Sequence, residues 1–227
     1  MPDRRSNSSY DTHESCRLCG GSSKAYVSRS NRDYLRCPSC GYVQVSAPGI
    51  PDSATERERY LLHDNDPGNS GYVSYLTRFA EQTVYRCAPV GSSLLEVGSG
   101  PSPVLAGVLT TAGYVVRTYD PYFAPNESVF EAIYDGVLAV EVAEHVQWPA
   151  PFFERIVNAT IPGGWIWLRT ELWEGPAEAF ARWWYKEDVT HIGFFSAQSI
   201  RLVAEKLHLE IVAIESSSTI TLRRRTH

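Results

Sequence analysis

Beyond residue 90 the apolar positions fall into short blocks whose period alternates. Residues 94–97, 114–119, 134–140 and 165–172 are compact apolar runs bounded by turn formers, the pattern of buried strands. Between and after them, residues 103–112, closed by Gly113, then 151–159, 178–185 and 197–207 carry helical spacing. Residues 209–215 and 218–223, joined by Ser216-Ser217, end the chain as two strands. Strand and helix in turn predict an α/β fold, a mostly parallel sheet covered on both faces with an antiparallel edge. Upstream, Tyr72, Val73, Leu76, Phe79, Ala80, Thr83 and Val84 share one helical face, which predicts a helix over 72–85 that caps the sheet. Residues 46–58 mix Pro, Gly and Ser with a run of charge and read as a linker. Residues 1–15 lack any apolar period and read as a flexible tail.

Composition narrows this only a little. The chain has 227 residues, 43% of them hydrophobic, enough for one α/β domain with a small appendage. A formal net charge of −5 supplies no global field for nucleic acid or an anionic membrane, so no membrane partner is expected and nucleic acid is disfavoured. No run of about 18 apolar residues exists, and the first residues carry no apolar signal region; the expectation is a soluble, cytoplasmic protein.

The cysteines change the picture more. Cys16 and Cys19, then Cys37 and Cys40, form two CxxC pairs with 17 residues between them. Two such turns offer four sulfurs to one tetrahedral ion, so residues 16–45 read as a zinc ribbon with a structural, closed site. Gly20 and Gly41, one after each pair, supply the permissive backbone that such turns need. Disulfides are the lesser reading for a cytosolic chain. Between Cys16 and Cys40 the ribbon carries Arg17, Lys24, Arg29, Arg32 and Arg36 against Asp33 alone, a basic surface that could meet phosphate or simply aid solubility. Cys87 has no partner in sequence and reads as a core residue.

The chemistry-bearing residues sit at strand ends. Leu94-Leu95-Glu96-Val97-Gly98-Ser99-Gly100 runs from a strand into a glycine turn, where the backbone can approach a ligand closely. No third glycine follows at the dinucleotide offset, which disfavours a pyrophosphate. Asp120 ends the second strand some 20 residues beyond the glycines, where a carboxylate can accept both hydroxyls of a ribose.

LLEVGSGPS, YDP, YDGVLAVEVAEHV and PGGWIWLRTEL together resemble the successive motifs of class I S-adenosylmethionine-dependent methyltransferases, from about residue 90 onward. The resemblance implies a Rossmann-like, seven-stranded-type domain over 91–227, with 46–90 as linker and capping helix. It implies that Glu96, Gly98 and Gly100 surround the methionine half of the cofactor, that Ser99 and Glu141 also contact the cofactor, that Asp120 binds its ribose, and that Pro121 and Tyr122 lie against the adenine. Only 14 residues separate Asp120 from Asp135, so the family's third strand must be short or missing.

Glu141-Val-Ala-Glu144-His145 follows the apolar run 136–140. If the chain turns helical there, Glu141, Glu144 and His145 at i, i+3 and i+4 project on one side. The ExxEH pattern is similar to that of ubiquinone-pathway O-methyltransferases and small-RNA 2′-O-methyltransferases, where it implies a divalent cation held with a further histidine, here His191. Mg, Mn, Fe and Zn all suit such ligands. The other reading binds no metal and leaves His145 or His191 as general base. Trp184, Tyr185 and Asp188 adjoin His191 and are candidates for the acceptor pocket, Tyr185 included among the catalytic set, whereas Phe180 and Trp183 read as core. His63 and Asn65 lie in a polar loop before the capping helix, within reach of a substrate.

Three functions are thus in play. The leading one is a small-molecule methyltransferase acting on a hydroxyl, with the ribbon and the helix from Tyr72 as a lid. An RNA-directed methyltransferase would use the basic ribbon and Arg223-Arg224-Arg225, and a non-catalytic interaction module would bind no cofactor.

Overall fold

The computed structural model describes residues 13–29, 32–62 and 66–226; residues 1–12 of the expected tail, and His63 and Asn65, lie outside them. The catalytic-size domain is a six-stranded sheet in the order β10-β11-β8-β7-β5-β6. Its parallel part comprises β5 (Ser93–Val97), β6 (Val115–Tyr119), β7 (Tyr134–Val140) and β8 (Thr160–Arg169). At the other edge β11 (Thr219–Arg224) runs antiparallel to β8, and β10 (Leu209–Glu215) antiparallel to β11. Ser216 and Ser217, with φ of 51° and 55°, are the two left-handed residues of the three-residue loop 216–218 that turns the last hairpin, closed by Ser218 N–H on the Glu215 carbonyl.

Period-two alternation places successive strand residues on opposite faces. Leu94, Leu138 and Trp167 pack beneath α2 (Ser70–Gln82), α3 (Val84–Cys87) and α4 (Val104–Thr111). Leu95, Val137, Ile166 and Leu168 face α5 (Pro149–Asn158) and α7 (Ala197–Lys206). Cys87 is partly buried against the first of these clusters. Between β6 and β7 the chain makes only a 3-10 turn, Glu127–Glu131, so β6 is the sheet edge and the family's third strand is missing among the described residues. The 14-residue interval is too short for a crossover helix and a strand.

The cysteine segment builds a second sheet, β1 (Glu14–Ser15), β2 (Ser22–Arg29), β3 (Arg32–Arg36) and β4 (Val43–Val45), all antiparallel. Its fifth strand, β9 (Gly193–Phe194), comes from the other domain and pairs with β4. Tyr34, Val43 and Val45 share a core with Phe180, Tyr185, Ile192 and Phe194. The ribbon is therefore continued by the chain that follows His191.

Several local expectations change. Residues 46–58 are not all linker: α1 (Ser53–Leu61) starts inside them, capped by Asp52, whose carboxylate accepts from Thr55 N–H at 2.8 Å. The helix has no buried residue, so no apolar period announced it. The fourth strand starts at Thr160, earlier than its apolar run, because Pro162 and Gly163 lie inside it. The 178–185 helix is only α6 (Ala177–Phe180), followed by a 3-10 turn, Trp184–Glu187; Phe180 and Trp183 pack into a tilted and edge-on aromatic cluster that fixes this segment.

Gly136 lets neighbouring strands pack closely: a Cβ there would stand 2.4 Å from the Trp167 ring on β8 and 3.2 Å from Leu94 on β5. Gly136→Ala is expected to cost about 1–3 kcal/mol by overpacking, read as a lower urea midpoint with an unchanged m-value.

Candidate active site

The glycine turn is pinned by its neighbours. Gly98 N–H and Ser99 N–H donate to the Tyr119 carbonyl at 2.7 and 3.2 Å, and Gly100 N–H donates to Asp120 Oδ2 at 2.9 Å. Gly98 and Gly100 have φ of 78° and 65°. A Cβ on Gly98 would come within 2.3 Å of Val142, whereas one on Gly100 would meet nothing within 4 Å. Gly98 thus serves packing, and Gly100 keeps a bare backbone beside the cavity. The other oxygen of Asp120 accepts from Tyr122 and Phe123 N–H at 2.9 and 3.0 Å, which holds the carboxylate at the strand end facing the cavity. Glu96 accepts from Ala106 N–H at 3.0 Å in the first turn of α4. Burial pushes its carboxyl up to about 7, with the charge of Asp120 a lesser contribution.

Glu141-Val-Ala-Glu-His does not become an α-helix. Glu141 has φ of 53°, a reversal rare for a side chain with Cβ, and only a 3-10 turn, Ala143–His145, follows. Glu144 and His145 are carried inward by that turn; Glu141 Oε1 accepts from Tyr75 at 2.8 Å beside Arg169 Nε at 3.3 Å, while its Oε2 lies 3.2 Å from the Tyr185 hydroxyl that also serves Glu144. Glu144, His145 and His191 bring one ligand atom each within 4.8 Å of one another; Glu141 is not in that group.

The protonation of these groups is legible from their partners. His145 Nδ1 lies 3.0 Å from the Thr190 carbonyl and His191 Nδ1 2.5 Å from the Tyr185 carbonyl. A carbonyl only accepts, so both Nδ1 atoms carry the proton and both Nε2 atoms carry a lone pair. Burial pushes both imidazoles down, His191 to about 4, so they are neutral near pH 7. Glu144 is fully buried; Tyr185 donates to its Oε1 at 2.6 Å, while Oε2 has no hydrogen-bond partner among the described residues. A buried carboxylate oxygen without a partner is costly. Two neutral imidazole nitrogens and such an oxygen are a donor set that fits a divalent cation, and each Nδ1–H on a carbonyl is the orienting bond that ligating histidines make.

Both ends open into one cavity of about 1040 Å³, lined by Gly98, Ser99, Gly100, Asp120, Pro121 and Tyr122 at one side and by Glu141, His145, Tyr185 and His191 at the other. Trp184 and Asp188 also line it, as their neighbourhood to His191 predicts. Glu144 stands behind Tyr185 and does not line it. The volume is at the upper end for ligand sites, with room for more than one small molecule.

Sequence reading missed four residues here. Arg169, at the end of β8, donates to Tyr75, Ser218 and Thr219, and its strand-end place was the available signal. Glu56 accepts from Tyr60 at 2.6 Å and from Tyr122 at 2.7 Å, and the Tyr60 ring stands edge-on to His145 at 5.3 Å. With Arg59 bound to Asp188 at 2.9 Å, these contacts lay α1 across the cavity as its lid. The expected lid of ribbon and capping helix is thus α1, while Tyr72, Tyr75 and Leu76 of α2 form a wall.

At the ribbon, the four sulfurs of Cys16, Cys19, Cys37 and Cys40 lie within 4.8 Å of one another, a spacing and donor set that fit one tetrahedral zinc. Gly20 and Gly41 have φ of 79° and 74°. Two of the five basic residues of the ribbon are spent inside the protein: Arg17 donates to the carbonyls of Val45 and Ile192, and Arg32 to those of Asp188, Val189 and His191.

A family model described as a methyltransferase domain matches residues 72–214. A search of the curated proteins found no match. Among solved structures, the chain is similar to 1,6-didemethyltoxoflavin-N1-methyltransferase from Burkholderia thailandensis, bound to 1,6-didemethyltoxoflavin and S-adenosylhomocysteine, with 15% identity, a TM-score of 0.54 and coverage of 89% of this chain and 99% of that one. It is also similar to magnesium protoporphyrin IX methyltransferase from Synechocystis PCC 6803, bound to S-adenosylhomocysteine, with 12% identity, a TM-score of 0.55 and coverage of 76% and 95%. No described helix is long and apolar enough to cross a membrane.

The raised carboxyl of Glu96 makes stability pH-dependent. Its folded value, about 7, lies above the ordinary 4.5, so the folded state binds the extra proton and stability falls as pH rises between these values. The ligand-free protein is expected to lose roughly 3 kcal/mol from this group between pH 4.5 and 7.5; Glu96→Gln should remove that part of the slope in urea titrations.

Proposed function

Because the chain belongs to the methyltransferase-domain family and has the class I S-adenosylmethionine-dependent fold, we propose that it transfers a methyl group from S-adenosylmethionine to a hydroxyl of a small molecule, with a divalent cation at Glu144, His145 and His191. The observation that carries this reading is the pair of neutral imidazoles with free Nε2 atoms, both lining the cavity that also holds the glycine turn and Asp120, with a carboxylate oxygen of Glu144, buried behind Tyr185, within 4.8 Å of their ligand atoms.

Asp120 would accept from a ribose hydroxyl at the one acceptor site left on Oδ2, Pro121 and Tyr122 would border the adenine, and Glu96 with the Gly98-Ser99-Gly100 backbone would surround the methionine part. Bound S-adenosylmethionine supplies an electrophilic methyl, and a bound cation lowers the pKa of a nearby hydroxyl and orients it. Tyr185 donates to Glu144 Oε1, the oxygen 4.0 Å from His145 Nε2, and so orients the carboxylate beside the imidazoles. Thr190 and Tyr185 carbonyls hold the imidazoles so that their lone pairs face one point. Tyr60, Tyr72, Tyr75, Trp184 and Tyr185 wall the cavity with rings and exclude water from the transfer site, which suits a flat or apolar acceptor. The four cysteines would hold a structural zinc.

An RNA acceptor is less well supported, because Arg17 and Arg32 are turned inward onto loop carbonyls and cannot serve as phosphate contacts. Without a cation, either imidazole, neutral and with an Nε2 lone pair, could still take the acceptor's proton.

The test is calorimetric titration of S-adenosylhomocysteine and, separately, Mn²⁺ into wild type, Asp120→Ala and Glu144→Gln. Asp120→Ala should weaken S-adenosylhomocysteine by roughly 10-fold or more, the loss of one charge-assisted hydrogen bond. Glu144→Gln should keep that affinity and lose Mn²⁺ binding. Wild-type protein that binds S-adenosylhomocysteine but no divalent cation would remove the metal from the reading and leave the histidine base; wild type that binds neither would restore the interaction module.

A further inference from the structure

The two histidines reach the same point from different segments, and both segments depend on the loop 188–192. His191 belongs to it, and the Thr190 carbonyl that fixes His145 belongs to it as well. Ile192 N–H donates to the Glu144 carbonyl at 2.8 Å, so the loop is also tied to the third member of the cluster. What holds the loop from behind is the ribbon. Val45 N–H donates to the Ile192 carbonyl at 3.0 Å, β4 pairs with β9 immediately after, and Arg17 Nη2 reaches the carbonyls of Val45 and Ile192 at 2.8 and 2.9 Å. Arg32 grips the loop most widely: Nη1 donates to the Asp188 carbonyl at 3.3 Å, and Nη2 to those of Val189 and His191 at 3.0 and 3.1 Å.

We propose that Arg32, a ribbon residue outside the cavity, is a positioning residue for both His145 and His191. Its guanidinium binds the carbonyls on either side of Thr190 and so fixes the peptide planes that aim the Thr190 carbonyl at His145 and set the backbone of His191. A planar fork that serves three carbonyls at once cannot be replaced by the point donor of lysine. The ribbon thereby acts on the chemistry through this loop as well as through its own folding. The inference rests on the proposed function only for the cation; the orientation of the two imidazoles follows from the contacts alone.

The experiment compares wild type, Arg32→Lys and Arg32→Met, each with wild-type circular dichroism and zinc content, by imidazole nitrogen NMR and by titration with Mn²⁺ and S-adenosylhomocysteine. In wild type both rings should show a protonated Nδ1 and an unprotonated Nε2. In Arg32→Met at least one ring should show averaged tautomer shifts, Mn²⁺ affinity should fall about 10-fold or more, as when an outer partner of a ligand is lost, and S-adenosylhomocysteine affinity should stay within about twofold, since Arg32 is not among the cavity residues. Arg32→Lys should fall between the two, and it decides the matter if the methionine variant does not fold. Unchanged tautomer shifts in a folded variant would overturn the proposal. Shifts that change in a protein that binds no Mn²⁺ even as wild type would sink the metal reading and leave the positioning role standing.

Discussion

The hydrogen bond from Ile192 N–H to the Glu144 carbonyl, 2.8 Å long, is the joint on which the site depends. On one side of it, β7 delivers the 3-10 turn with Glu144 and His145 from the sheet centre. On the other, the loop with His191 runs into β9 and so into the ribbon sheet. A parallel sheet opens its carboxyl ends to a ligand but encloses only one side of it. Here the ribbon and α1 supply the other side, which is why a module of four short strands and four cysteines bears on the geometry of the cavity.

The polar groups of the site are held by a shared network. Glu141 takes Tyr75 and Arg169, the Tyr185 hydroxyl sits between Glu141 and Glu144, and each imidazole donates from Nδ1 to a carbonyl. Burial then decides the charge state, with the carboxyls of Glu96 and Glu141 pushed up and the imidazoles pushed down. Shifts of this kind gathered in one cleft mark a functional site.

The lid shows how function recruits a helix with little core of its own. α1 buries none of its residues and is held by polar and ring contacts, Glu56 with Tyr122, Arg59 with Asp188, and Tyr60 against His145. Elements with few buried apolar contacts sit at the low end of local stability. Residues Ser53, Glu56, Arg59 and Tyr60 of the helix line the same cavity as the histidines.

The sequence by itself determined the strands and their order of motifs, because residues 94–97, 134–140 and 165–172 are compact apolar runs bounded by turn formers, as strands buried on both faces require. It likewise determined the glycine turn, Asp120 and the cysteine cluster, whose chemistry is local in spacing. It did not reveal α1, whose exposure leaves no apolar period, nor the shape of Glu141-Val-Ala-Glu-His, where a left-handed residue breaks the helix that spacing suggested. Only the tertiary structure decided that Glu144 and His145 meet His191 while Glu141 turns to Arg169, and that Arg17 and Arg32 face a loop some 150 residues away instead of solvent. Those choices depend on which backbone groups burial leaves unpaired, a property of the packed chain that no window of sequence contains.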